Sequence, residues 1–232
     1  MLARFRCGNL EMRLHYIEDD WADVPISPNF PTSTYLRLSM PALLPDEDRV
    51  LYLDGDIVIL DDVAKLFDMS LGGKPIGAMV TLQMIYRRYT KGRISTSGFS
   101  GTLDEYLDQV VRMHRPDEYV NTGIMLLDLT QLRKQDFTSK VRADLMANGH
   151  RYAYADQDGI NALMQGKIKL LDPRWHVYGA EFSRTDREKV PDRVREISMR
   201  SRQGARLIHF AGPKPWQGGS IAAGPLWWRY AD

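Results

Sequence analysis

Cysteine is almost missing from this chain: Cys7 is the single one among 232 residues. That excludes an internal disulfide framework and any zinc site built on several cysteines, and it suits a reducing compartment. An excess of one charge is missing too. Lysine plus arginine count 31 against 30 for aspartate plus glutamate, a net of +1, so no nucleic-acid partner is expected and any basic patch must be local. No window approaches the roughly 18 consecutive apolar residues of a membrane span. The opening Met1-Leu-Ala-Arg-Phe-Arg-Cys-Gly8 carries no apolar stretch of signal-peptide length. Repeats of fixed period and low-complexity tracts are absent, which leaves out solenoids and propellers. What is present is 44% hydrophobic and 10% aromatic, ample for a core, so the expectation is one α/β domain over residues 1–232 with a cytoplasmic address.

Leu10–Ile17 alternates loosely and reads as a strand, followed by the acidic turn Glu18-Asp19-Asp20. Thr32–Leu44 fits a helix broken near Pro41 and Pro45. Arg49–Leu60 is a nearly continuous apolar run, as in a strand buried on both faces of a parallel sheet, yet Asp54 and Asp56 interrupt it. Ile76–Val80 reads as a short strand and the basic, glycine-containing Gln83–Gly101 as a loop or irregular helix. Tyr119–Leu129 is a second apolar run, Leu132–Ala147 has helical spacing, and Asp156–Met164 starts with acids and continues as a helix. Ile168–Leu171 and Leu207–Phe210 read as late strands, the last running into a glycine and proline turn.

Two aspartates one residue apart at the end of an apolar strand cost several kcal/mol (roughly) unless something pairs with them, and a divalent cation is the natural partner. Gly55 between them allows a sharp turn, so that both carboxylates reach one hard ion that in turn bridges the phosphates of a nucleotide. The bland alternative is a strand-end turn with solvated acids. Near the far end, His209 leaves a strand, Gly212 permits close backbone approach, and Lys214 stands between Pro213 and Pro215, a combination that reads as an anion clamp. An imidazole beside two carboxylates favours Mn²⁺ over Mg²⁺, which remains the alternative ion. Read blandly, His209 is a core histidine and Lys214-Pro-Trp a surface turn.

Five blocks follow one another in order: Tyr35-Leu-Arg-Leu, Val50-Leu-Tyr-Leu-Asp-Gly-Asp, Tyr119-Val-Asn-Thr-Gly-Ile-Met-Leu-Leu-Asp, Asp156-Gln-Asp-Gly-Ile-Asn, and His209-Phe-Ala-Gly-Pro-Lys-Pro-Trp. As a set they resemble glycosyltransferase family 8, the group of glycogenin and of bacterial galactosyl- and glucosyltransferases of lipopolysaccharide assembly, over about residues 32–230. The resemblance implies a GT-A-type α/β fold with a mainly parallel, Rossmann-like central sheet flanked by helices. It implies a retaining, Mn²⁺-dependent hexosyltransferase that moves sugar from a UDP-sugar to a glycan or glycolipid acceptor. Asp54, Asp56 and His209 would hold the metal, with Gly212 and Lys214 on the diphosphate and Arg37 on the donor. Asn121, Asp156 and Gln157 would lie around the sugar and its anomeric carbon.

Three features depart from that pattern. Family chains usually begin with a strand and helix that hold the uracil and ribose, whereas here the segment read as the third strand begins about ten residues after Met1. The nucleoside pocket is therefore expected to be incomplete and UDP binding weak. Pro213 alone separates Gly212 from Lys214 where two residues are common, a shift of about 3.3 Å along the chain. His176 stands where an asparagine is usual.

Two other readings compete. Asp54 and Asp56 also fit the first motif of haloacid-dehalogenase-like phosphatases, as nucleophile and acid/base. A non-catalytic nucleotide-sugar-binding remnant fits the short beginning. Ser183–Arg206 carries eight basic and four acidic residues, so peripheral association with the inner face of a membrane, without insertion, is a further expectation; a solvated helix with internal ion pairs is its rival.

Overall fold

The two apolar runs become hydrogen-bonded neighbours. In a computed structural model that describes residues 11–17, 21–179, 189–218 and 221–231, strand β1 (Arg49–Leu53) pairs antiparallel with β6 (Val120–Asp128), Leu53 facing Ile124. On its other side β6 pairs antiparallel with β3 (Ile76–Val80), and β3 pairs parallel with β7 (Ile168–Leu170), giving the order β1-β6-β3-β7. A second sheet, β2-β9-β8, joins β2 (Ile57–Ile59), β9 (Leu207–His209) and β8 (Val177–Tyr178). The hairpin β4 (Arg93–Thr96) with β5 (Phe99–Thr102) stands alone.

Burial explains the sequence pattern of β6. Its first eight residues are buried, and with side chains alternating across the sheet, Met125 and Leu127 join one core while Ile124 joins another. The first core is closed by α4 (Leu103–Gln109), α5 (Leu129–Lys134), α6 (Phe137–Asn148) and α7 (Asp156–Leu163), through Tyr106, Leu132, Val141, Leu145 and Ile160. The second core seals the two sheets together with Leu66, Met79, Trp175 and Leu207.

The α/β architecture expected from the sequence is present, with a correction to its sheet. Pairings among the described strands are mixed, not mainly parallel: β6 receives antiparallel neighbours on both edges. A run buried on both faces records only that both faces are covered, and helices on one side plus a second sheet on the other achieve this without parallel pairing. The single long strand expected over Arg49–Leu60 is two strands in different sheets, because Asp54-Gly55-Asp56 turns the chain from one to the other.

Other segments also differ. Residues 11–17 form no strand, and Leu14 and Tyr16 point into solvent. Thr32–Ser39 is 3-10 helix and only Met40–Leu43 (α1) is α-helical, with Pro41 in the first turn where its missing N–H costs nothing. The stretch read as a loop or irregular helix over Gln83–Gly101 holds a helix, α3 (Leu82–Tyr89), and also most of the β4–β5 hairpin, which was not expected. The helical spacing of Leu132–Ala147 spans two helices, α5 and α6, parted at Asp136, whose φ of 51° ends the first. Within the basic segment, residues 183–188 lie outside the described residues. Asp192–Gln203 is α8 (α2, Ala64–Phe67, precedes β3, and α9, Gly224–Ala231, follows it), and Arg206 lies over the Trp175 ring and 3.5 Å from Asp61. No helix of the described residues is long and apolar enough to cross a membrane.

Candidate active site

Asp54 follows the last residue of β1, and Asp56 precedes the first of β2. Backbone bonds pin this turn to both sheets: Asp54 N–H donates to the Gly123 carbonyl at 2.8 Å and Phe210 N–H to the Asp56 carbonyl at 2.9 Å. Because β2 pairs with β9, the His209 ring comes to the same place. Its Nε2 lies 3.1 Å from Asp56 Oδ1 and 3.7 Å from Asp54 Oδ2, and one ligand atom from each of the three residues falls within 4.8 Å of the others.

Glycine is needed here, but at a position the sequence reading passed over. A Cβ on Gly123 would stand 2.4 Å from Asp54 Oδ2 and 2.6 Å from His209 Cε1. Only a bare backbone in β6 lets the carboxylate and the imidazole approach each other across it. Gly55, expected to allow a sharp turn, has no left-handed φ, and a Cβ there meets nothing within 4 Å, so the turn makes no use of its freedom. Gly212 does use its freedom, at φ 91°.

The electrostatics are those of a filled pair. Burial pushes the Asp56 carboxyl up, but His209 and Lys214 outweigh it with hydrogen bonds and positive charge and hold it well below the usual carboxylate range. Lys214 Nζ donates to Asp56 Oδ2 and, at 2.9 Å, to the Phe210 carbonyl. Behind His209, its Nδ1 lies 3.2 Å from His176 Nε2. If His209 turns its Nε2 lone pair toward the carboxylates' ion, its Nδ1–H donates to His176, which fixes the tautomer of both rings. The chemistry fits a divalent first-row ion: two hard carboxylates, one imidazole, and a backbone cradle that a methyl group would fill.

Arg37 ties this cluster to a second one. Its guanidinium lies 3.1 Å from Asp54 Oδ1 and 3.5 Å from Asp156 Oδ2, donates to the Thr122 carbonyl at 3.0 Å, and sits over the Tyr52 ring. Tyr52 in turn donates to Asp54 at 2.7 Å. Asp156 opens α7 but caps nothing; it is buried and accepts from Thr122 Oγ1 at 2.9 Å. Burial raises its pKa against the opposing pull of Arg37 and Thr122. Ala155 just before it has φ 48°, a strained value for a residue with a Cβ, which swings Asp156 inward. Gln157 Oε1 accepts from Asn121 Nδ2 at 2.9 Å.

All ten residues singled out from the sequence (Arg37, Asp54, Gly55, Asp56, Asn121, Asp156, Gln157, His209, Gly212 and Lys214) line one cleft of about 720 Å³. Thr122, Gly123, Tyr154 and Tyr178 line it as well and were not foreseen as site residues. Gly123 shares a face of β6 with Asn121, so strand alternation could have flagged it; Thr122 lies on the opposite face, and Tyr178 arrives by the β8–β9 pairing, which no local signal reveals.

Fold and site together have the form of a GT-A glycosyltransferase. The solved bifunctional glycosyltransferase WbbM, in its apo form, superimposes with a TM-score of 0.74 at 27% identity, covering 81% of this chain and 33% of that one. The galactosyltransferase LgtC, solved with donor and acceptor sugar analogs, superimposes with a TM-score of 0.63 at 25% identity, over 85% of this chain and 66% of that one. The family model of Glycosyl transferase family 8 matches residues 17–219, and the chain belongs to that family. Among curated relatives, General stress protein A of Bacillus subtilis (strain 168) is 28% identical over 79% of this chain and 59% of its own length. Probable galacturonosyltransferase-like 6 of Arabidopsis thaliana is 30% identical over 78% and 49%. The chain thus spans about half to three-fifths of these relatives. Family and fold also correct the phosphatase reading: the late strand β9 ends in His209, not in an acidic pair.

Proposed function

We propose that this chain is a retaining glycosyltransferase that moves a hexose from a UDP-sugar to a glycan or glycolipid acceptor, with Mn²⁺ as the preferred ion. The observation that carries the reading is the meeting of Asp54, Asp56 and His209 at the wall of a cleft that Arg37, Asn121, Asp156, Gln157 and Lys214 also line. Asp54, Asp56 and His209 would hold the metal, which when bound supplies positive charge against the diphosphate that departs. Departure of a nucleoside diphosphate concentrates negative charge, and groups aimed at that charge lower the barrier more than they tighten ground-state binding. Lys214 brings one such charge on a short tether, fixed between two prolines. Arg37 lies between Asp54 and Asp156 and offsets part of the charge of both, so that the two carboxylates stand on one cleft wall with their mutual repulsion reduced.

Asn121 and Gln157 offer the neutral hydrogen-bonding surface that a sugar's hydroxyls require. Retention is compatible with two routes here, one through the Asp156 carboxylate or the Gln157 carbonyl on the sugar, the other a front-face departure assisted by the leaving phosphate. Calorimetry with UDP, with and without Mn²⁺, on this chain and on Asp56→Ala gives the test, together with UDP release from UDP-sugars. Mn²⁺-dependent UDP binding lost in the variant, with slow UDP release, is the expected result. A chain that neither binds UDP with Mn²⁺ nor releases it is a non-catalytic remnant, and the proposal fails.

A further inference from the structure

Behind Gln157 lies a buried charge that the proposed chemistry does not use. Asp158 is fully buried in α7 and accepts three hydrogen bonds. Tyr119 Oη donates to its Oδ1 at 2.6 Å, while Tyr106 Oη at 2.6 Å and Tyr154 N–H at 2.7 Å donate to its Oδ2. The Tyr106 oxygen already accepts from Ala153 N–H at 2.7 Å, so its proton must go to the carboxylate. A carboxylate that takes three donors has no proton to give. The Tyr119 hydroxyl hydrogen is therefore committed to Asp158, and its oxygen is left free only to accept. That oxygen lies 3.1 Å from Gln157 Nε2.

The opposite end of the same amide is fixed independently. Gly123 N–H donates to Asn121 Oδ1 at 2.9 Å, which turns Asn121 Nδ2 toward Gln157. Thr122 N–H points the same way at 3.4 Å. Donors on this side require an oxygen, and an acceptor on the Tyr119 side requires an NH₂ group. Tyr119 is fully buried, whereas Asn121 lines the cleft. Gln157 thus keeps Oε1 on the cleft side and Nε2 on the interior side. We infer that Asp158 is a positioning residue, acting through the Tyr119 hydroxyl to lock the Gln157 amide with its carbonyl oxygen toward the sugar-binding side of the cleft. The inference rests on the glycosyltransferase reading for its catalytic consequence, but the lock itself does not.

Two substitutions act on the lock in different ways. Tyr119→Phe removes the acceptor and keeps the ring that fills the core. Asp158→Asn keeps the shape; with its Oδ1 retained by Tyr106 and Tyr154, its NH₂ group faces Tyr119, reverses that hydroxyl, and sets the hydroxyl proton against Gln157 Nε2–H. The first readout is the Gln157 side-chain amide in two-dimensional ¹⁵N–¹H NMR, assigned by its loss in Gln157→Ala. The unsubstituted chain is expected to show a nuclear Overhauser contact from this NH₂ group to the Tyr119 ring. Both variants should move the resonance, and Asp158→Asn should lose the contact. The second readout is turnover of a UDP-sugar with Mn²⁺: kcat should fall at least tenfold in Tyr119→Phe, with donor KM and calorimetric UDP binding changed less than threefold. Should Asp158→Asn fail to fold, Tyr119→Phe carries the test alone. An unmoved amide signal, or a moved signal with unchanged kcat, overturns the inference. If the unsubstituted chain gives no turnover, the glycosyltransferase reading fails and the amide signals alone decide whether the lock exists.

Discussion

Gly123→Ala places one methyl group where the proposed metal site has no room. The new Cβ would stand 2.4 Å from Asp54 Oδ2 and 2.6 Å from His209 Cε1. An ordinary carbon–oxygen contact is about 3.4 Å, so the carboxylate must retreat by about 1 Å. Metal bonds of about 2 Å tolerate errors of only about 0.2 Å, and at least one ligand is lost. Misplacing even a supporting group of a metal site costs about 10- to 100-fold in affinity, so Mn²⁺ binding should weaken by at least that much. The fold should survive, since Gly123 has no left-handed φ and alanine is the better strand residue. Gly55→Ala, inside the turn but with open space at its Cβ, is the contrast: Mn²⁺ alone should bind it within about threefold of the unsubstituted chain, as at a site with no new contact. Mn²⁺ titration followed by electron paramagnetic resonance, beside thermal melts of all three proteins, makes the comparison. A folded Gly123→Ala that binds Mn²⁺ as well as the unsubstituted chain would refute the reasoning.

Arg37→Ala should leave Asp156 buried without its cation and cost on the order of 3–5 kcal/mol in urea unfolding; a loss under about 1 kcal/mol would show that the pairing is immaterial. Burial raises Asp158 to about 6 from 3.8, against the hydrogen bonds of Tyr106, Tyr119 and Tyr154 and with the nearby Asp156 charge adding to the rise. The folded state therefore binds this proton more tightly than the unfolded one. Asp158 alone makes stability rise as pH falls from about 6 toward about 4, by on the order of 3 kcal/mol, and Asp158→Asn should flatten that part of the stability–pH curve; an unchanged slope would exclude Asp158 as its source. For the basic segment that ends at Arg206, sedimentation with anionic vesicles is expected at low salt and lost at high salt. Absence of sedimentation at low salt, or sedimentation indifferent to salt, would remove the lipid from the account.

Much of this protein could be read along the chain because local physics wrote it there. The apolar run Ile124–Leu127, with Val120 before it, has few fates other than a strand such as β6, and the two acids after β1 need either solvent or a cation. Acids before an apolar periodic stretch announce α7. Strand direction was not written. Whether β6 meets its neighbours parallel or antiparallel depends on the path of the connections, which side-chain polarity does not encode. The split of Arg49–Ile59 between two sheets was likewise invisible, because both halves are apolar and only their partners differ.

At the site, the sequence determined the chemistry and the tertiary structure determined its geometry. Asp54, Asp56, His209 and Lys214 could be named because carboxylate, imidazole and ammonium groups are costly beside apolar strands without a task. That His209 reaches Asp56 at 3.1 Å follows from β2 pairing with β9, residues separated by some 150 positions. Gly123 shows the difference most directly. Its lack of a side chain is a fact of sequence, but its necessity arises from two atoms brought by other strands. The Asp158–Tyr119–Gln157 chain is of the same kind: each member was in plain view, and only packing decided that one hydroxyl proton should point in one direction.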